Sequence, residues 1–291
     1  MKSVLVRLQE YRNQASGAEK SVIKILIENP EAVSNYSIHA LASESYASAS
    51  TIIRLCQKLG FKGYRELHTS LVYELALRQS TSDEKGKEIS KDDALETILD
   101  KVTYKNIISL ENTRKLIDLN TLQQCIDLLI NARTICLFGM GSSLLVAKDA
   151  YLKFLRINKP CNLSEDWHAQ LLQSKNMTQD DIAIAISYSG LTEEVLRCVE
   201  IAKDNGSPVI AITRFEDNPL SRLADYTLSV AATEFIFRSG AMSSRIAQLN
   251  IIDILYTAFI NKEYELSVKQ FEKTHIDKTA HEESDNRRKI F

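Results

Sequence analysis

Two hydrophobic rhythms divide the chain. Through the first 78 residues apolar positions recur at helical spacing, with no alternating strand pattern. Val4, Leu5, Leu8 and Tyr11 begin it, and Ala18, Val22, Ile25 and Leu26 carry a second stripe until Asn29-Pro30 stops it. Ser37 is placed to cap a short helix through Leu41 and Ala42. A turn around Ser45-Tyr46-Ala47 then leads to a new start at Ser48, and SASTIIRLCQKLG ends at Gly60, a helix C-terminal signal. On a helical wheel Ile52, Ile53, Leu55, Cys56 and Leu59 share one arc, while Ser50, Thr51, Arg54, Gln57 and Lys58 fill the other. The pattern predicts one face for a core and one for hydrogen bonding.

The second rhythm begins near Leu119. Thr134 to Phe138, Ile182 to Ile186, Val209 to Thr213 and Tyr226 to Val230 are continuous β-prone runs separated by helical stretches. Such runs are strands of a parallel sheet covered on both faces, an α/β doubly wound domain. Between the two regions, STSDEKGKEISKDD is almost devoid of large apolar residues and reads as a linker. Helical spacing resumes through Leu95, Ile98, Val102, Ile107, Leu110 and Leu116. The expected organisation is an all-α domain over 1–78, a linker and connecting helix over 79–118, and an α/β domain over 119–291 with a C-terminal helix and polar tail.

Composition narrows the classes. At 44% hydrophobic and 25% charged the chain is of ordinary globular type, with no run of the ~18 apolar residues that a membrane span needs. Its start, MKSVLVRLQEYRNQ, mixes charge and apolar residues too early for a signal peptide, so a cytoplasmic protein is expected. The five cysteines are odd in number and form no CxxC pair, which reads as core thiols, and the five histidines have no paired-ligand spacing, so no metal site is expected. The net charge of −2 hides a split: residues 1 to 78 hold ten Lys or Arg against seven Asp or Glu, a net +3. From Ser45 to Arg65 there is no acidic residue, a window that suits a polyanion.

Ligands of an open parallel sheet bind beyond the strand carboxyl ends, where helix N-termini converge. Two strand ends here share a composition: GMGSS (139–143) and SYSGLT (187–192) each combine glycine with hydroxyls just before a helix. Helix-start N–H groups attract anions, glycine permits close approach, and Ser or Thr adds donors. One such loop alone would be a plain helix cap; two in one sheet favour an anion, held mainly by backbone and hydroxyl groups. GMGSSL lacks the third glycine of a dinucleotide fingerprint, and a Walker sequence is absent, so no cofactor is expected. Glu234 could accept sugar hydroxyls, act as a proton-transfer base, or be a solvated loop carboxylate. Trp167, between Asp166 and His168, could flank a sugar, with core packing the expected role of the only tryptophan.

The loops G-x-G-S-S and S-x-S-G-x-T resemble the signature of the sugar isomerase (SIS) domain, and SIHALASESYASASTIIRLCQKLGFKGYRELH is similar to the helix-turn-helix of the RpiR family of bacterial transcriptional regulators. The resemblance covers about nine tenths of the chain. It implies a non-catalytic regulator whose SIS domain senses a sugar phosphate, an amino-sugar phosphate being the first choice, and whose helix-turn-helix binds operator DNA as part of a dimer or tetramer. It further implies effector contacts from Ser142, Ser143, Ser187, Ser189 and Thr192, with Glu234 at the sugar end; Tyr188 stands where such loops vary. Ser48, Ser50 and Thr51 would open the groove-entering helix, with Arg54 placed to grip guanine. Lys58, Lys62, Tyr64 and Arg65 would hold phosphates. Binding would travel to the DNA heads through residues 94–118. The alternative is an aldose-ketose isomerase with an appended helical domain and Glu234 as base; a dimerising scaffold with an empty site is opposed by the paired loops.

Overall fold

The computed structural model describes residues 4–82, 89–231 and 241–276. The N-terminal region is helical: α1 Val4–Tyr11, α2 Gly17–Glu28, α3 Pro30–Val33, α4 Ile38–Ser45, α5 Ala49–Lys58 and α6 Tyr64–Ser82. Its periodic apolar residues converge on one core, with Leu8, Ile23, Leu26, Leu41, Ile52, Leu55, Leu67 and Leu71 all buried. Hydroxyl caps start the helices where the sequence places them, Ser37 accepting from the Ala40 N–H and Ser48 from the Thr51 N–H. Gly60 (φ 86) ends α5 by letting the Phe61 N–H turn back to the Cys56 carbonyl.

One sequence expectation is extended and two are corrected. Pro30 stops α2 but also starts the one-turn α3, because its fixed φ suits a first helical position. Ile53 leaves the core face of α5 and is 40% exposed. It lies about 100° round the helix from Ile52, at the edge of the arc, and only the centre of the arc meets the core. Trp167 likewise is 38% exposed at the head of its helix, where the Asp166 cap turns the chain at the surface.

After α7 Leu95–Leu116 and α8 Leu119–Asn131 the chain alternates strand and helix: β1 Ile135–Gly139, α9 Ser142–Arg156, β2 Cys161–Asn162, α10 Trp167–Lys175, β3 Ile182–Ile186, α11 Glu193–Asp204, β4 Val209–Arg214, α12 Pro219–Leu223 and β5 Tyr226–Val230. Two further helices follow, α13 Ser243–Lys262 and α14 Tyr264–Lys273. The five strands are parallel in the order β2-β1-β3-β4-β5. Aliphatic layers cover both faces, so β1 and β3 are buried along their whole length. This is the doubly wound domain that the apolar runs require.

The connecting helix α7 lies along α13 and β5 with Ser109, Asn112, Thr113 and Leu116 buried, so it forms a wall of the sheet domain. Burial pushes the Cys56 and Cys125 thiols up to about 12, which keeps them neutral as packing groups. Among the described residues no helix is long and apolar enough to cross a membrane, and no His, Cys, Asp and Glu group has the arrangement of a metal site.

Candidate functional site

A 2-1-3-4-5 strand order reverses direction between β1 and β3, and the crevice beyond that switch point is where such sheets bind ligands. In register, Gly139 pairs with Ile186, so the β1 and β3 loops leave the sheet side by side. Those are the two loops rich in glycine and hydroxyls. After β1, Gly141 (φ 58) turns the chain into α9 with no side chain capping the helix. After β3, Thr192 precedes α11, also without a side-chain cap. The neighbouring α8, α10 and α12 are all capped by Asp or Asn. Among the described residues neither start has a side-chain cap; the Ser143 and Leu144 N–H groups turn back to the Met140 and Gly141 carbonyls at 3.1 and 3.2 Å, and the positive dipole ends of both helices face an anion at the one switch point.

The hydroxyls divide into two sets. Ser187 is buried, and its Oγ pairs with Thr192 Oγ1 at 2.9 Å, tying the two ends of the loop together. Ser189 Oγ accepts from the Leu191 N–H at 3.2 Å. Ser142 is partly exposed, whereas Ser143 is buried and paired with the Gln248 side chain of α13 at 3.4 Å. Ser143 thus anchors the loop, while Ser142 and Ser189 stand nearer solvent. The Tyr188 carbonyl accepts from the Arg214 N–H at 3.0 Å and the Thr213 hydroxyl at 3.3 Å, which joins the loop to the end of β4. Glu234 lies outside the described residues.

Sequence reading passed over the residues that hold these loops. Gln170, 1% exposed, grips both backbone groups of Gly139 (3.2 and 3.1 Å) and the Ser164 carbonyl (2.9 Å). Asn218, also 1% exposed, lies directly beneath Gly190: a Cβ there would stand 1.9 Å from Asn218 Oδ1. A glutamine set in an apolar helical stripe, like Gln248 between Ala247 and Ile251, is a legible sign of such an anchor; Asn218 gave only the look of an N-cap, which it also is. The electrostatics are mixed, since Glu193 and Glu194 occupy the first turn of α11. The Trp167 indole donates to the Glu194 carbonyl at 3.3 Å, placing the ring against that turn.

In the N-terminal domain, Ser48, Ser50 and Arg54 are exposed along the start of α5, with Thr51 partly exposed. The Ser48 hydroxyl bridges Ser50 (2.8 Å) and Thr51 (2.9 Å). Among the described residues Arg54 makes no ion pair. Lys62 is exposed, with its N–H held by Glu66. The other basic candidates have partners inside the chain: Lys58 pairs with Glu19 at 2.6 Å, and Arg65 with Asp118 at 2.6 Å, the residue that caps α8. The Tyr64 hydroxyl donates to the Tyr36 carbonyl at 2.9 Å.

A direct contact links this domain to the sheet. The Tyr73 hydroxyl of α6 donates to Glu216 at 3.0 Å, and its ring meets that of Phe215 at 5.4 Å. Phe215 and Glu216 follow Arg214, which is bonded to Tyr188. Two steps therefore lead from the SYSGLT loop to α6, alongside the packing of α6 on α7, the helix within the expected connection through residues 94–118.

Comparison with known proteins agrees with both halves. Residues 2–78 match the helix-turn-helix domain of the rpiR family, and residues 128–258 match the SIS domain. An uncharacterized HTH-type transcriptional regulator of Caldanaerobacter subterraneus subsp. tengcongensis is 36% identical over 274 residues, spanning 94% of this chain and 96% of that protein. The HTH-type regulator YbbH of Bacillus subtilis is 31% identical over 271 residues, 93% of this chain and 95% of its own. Among solved structures, the NanR protein of Vibrio vulnificus complexed with ManNAc-6P is similar at a TM-score of 0.58 and 28% identity, covering 93% of this chain and 96% of that one. The sugar isomerase domain of an RpiR transcription factor from Sphaerobacter thermophilus shares the fold of the sheet domain, at a TM-score of 0.55 and 20% identity over 60% of this chain and 95% of that one.

Proposed function

Because this chain belongs to the rpiR family of helix-turn-helix transcriptional regulators and carries a SIS domain, we propose that its paired sheet-end loops receive a sugar phosphate that controls DNA binding. The observation that carries this is the pair of uncapped helix starts, α9 and α11, at the β1/β3 switch point. Ser142, Ser187, Ser189 and Thr192 supply hydroxyls to the phosphate, with Ser143 holding the first loop in place and Tyr188 relaying to β4. The Vibrio vulnificus relative, complexed with ManNAc-6P, supports an amino-sugar 6-phosphate as the class to test first. Glu234 is reserved for the sugar end.

On the DNA side, Ser48, Ser50, Thr51 and Arg54 face the operator and Lys62 a phosphate. Lys58, Tyr64 and Arg65 act mainly inside the chain, and each must exchange a partner to reach DNA. The protein works in the cytoplasm as a homo-oligomer whose paired heads match operator half-sites, and it turns over no substrate. Occupancy of the SYSGLT loop reaches α6 through Tyr188, Arg214 and the Phe215–Tyr73 contact.

Thermal denaturation against a panel of hexose and amino-hexose 6-phosphates tests the reading. A ligand at a hundred times its Kd stabilises by about 2.7 kcal/mol, and the Ser187→Ala/Ser189→Ala protein should lose that shift while keeping its own transition. A retained shift refutes the phosphate site. Steady conversion of any of these sugars, abolished in Glu234→Gln, would favour the isomerase.

A further inference from the structure

Two large apolar side chains stand in water at the end of the helix-turn-helix that meets DNA. Tyr46, in the turn between α4 and α5, is 97% exposed and sits at φ 52. A bulky residue at positive φ is an outlier, and glycine would hold the same turn without strain. Among the described residues the Tyr46 side chain makes no hydrogen bond or ring contact, so the fold gains nothing visible from it. Ile53 is 40% exposed although α5 has a well-filled core face in Ile52, Leu55 and Cys56. At about 100° per residue, Ser50, Ile53, Arg54 and Gln57 lie within one arc of about 100°. Ile53 therefore interrupts a polar face in which every neighbour can donate a hydrogen bond.

Departures from local rules with no structural compensation are expected at functional positions. We propose that Tyr46 and Ile53 are the apolar half of the operator interface: Ile53 packs on a thymine methyl group beside the base held by Arg54, and Tyr46 lies against the sugar-phosphate wall at the entry of α5. The proposal rests on α5 being the helix that enters the major groove. Thymine offers the only methyl group there, and apolar side chains read it where arginine reads guanine. The acid-free window from Ser45 to Arg65 brackets both residues, so no carboxylate opposes a phosphate next to the tyrosine.

The test uses duplexes enriched from a randomised pool by the full-length wild-type protein. Replacing each thymine of the enriched site in turn with deoxyuracil removes only the methyl group, worth about fourfold in affinity for one buried carbon. At one position wild type should show that loss, while Ile53→Ala binds the thymine and uracil duplexes equally. Indifference of the wild type at every position overturns the assignment of Ile53. Tyr46→Gly should raise the melting temperature, by releasing the left-handed strain, and weaken binding to the enriched duplex several-fold. A raised melting temperature with unchanged affinity overturns the assignment of Tyr46. Failure of the wild type to enrich any sequence, by contrast, refutes the reading of α5 itself.

Discussion

Replacing Gly190 with alanine adds one methyl group at the point where the SYSGLT loop is most tightly constrained. The backbone there has φ 66, which costs an L residue about 1–2 kcal/mol. The new Cβ would also lie 1.9 Å from Oδ1 and 2.3 Å from Cγ of Asn218, a contact that Asn218 must relieve by moving. Its Oδ1 accepts from the Ser221 N–H at 3.0 Å as the cap of α12, and its Nδ2 donates to the Glu216 carbonyl at 2.8 Å. Displacing it forfeits a cap worth about 1 kcal/mol and leaves a buried amide unpaired at about 1–3 kcal/mol. The whole change should destabilise the sheet domain by roughly 3–6 kcal/mol on those figures. Trp167 is the only tryptophan and is bonded to the first turn of α11, so its fluorescence during denaturant unfolding reports this domain separately from the N-terminal one. In Gly190→Ala/Asn218→Gly the collision and the unpaired amide disappear, leaving the strain at residue 190, a weaker cap and the lost bond to the Glu216 carbonyl. The double variant should then be more stable than Gly190→Ala alone, a coupling of one sign only. A Gly190→Ala protein within about 0.5 kcal/mol of wild type, the range of an inert surface change, would refute the argument.

Two further outcomes follow from other contacts. The Lys58 ammonium, and then the Ser16 N–H, hold the Glu19 carboxyl below its ordinary 4.5. A depressed folded value means stability that is complete above the unfolded value and lost as pH falls through the folded one. Wild type should therefore lose more stability than Glu19→Gln in urea titrations below about pH 4.5, followed by circular dichroism; equal losses would count against the linkage. Tyr73→Phe keeps the ring on Phe215 and removes only the hydrogen bond to Glu216, so stability should change by less than about 1.5 kcal/mol. The factor by which a sugar phosphate alters DNA affinity should shrink, and the reciprocal factor with it, as measured by fluorescence anisotropy. An unchanged factor would remove Tyr73 from the route.

Which parts of this protein were legible in its sequence follows from the range of the forces involved. Helical and strand periods, the Ser37 and Ser48 caps, the Gly60 stop and the composition of both sheet-end loops depend on neighbours a few residues apart, and periodicity displays them directly. The strand runs also carried the parallel sheet, because only a sheet covered on both faces needs residues apolar at every position. Tertiary packing decided what lies farther apart. It laid α7 along α13, paired Arg65 with Asp118, turned Ser143 toward Gln248 and set Asn218 under Gly190, contacts that join residues from 28 to 134 positions apart. It also left Ile53 and Trp167 in water, since a helical arc sets which residues can face a core while the neighbouring elements set how much of that arc is covered. The sequence by itself determined two hydroxyl-rich helix starts; the folded loops left them without side-chain caps, the strand order brought them to the same crevice, and the Tyr73 contact tied that crevice to the helical domain that carries Arg54.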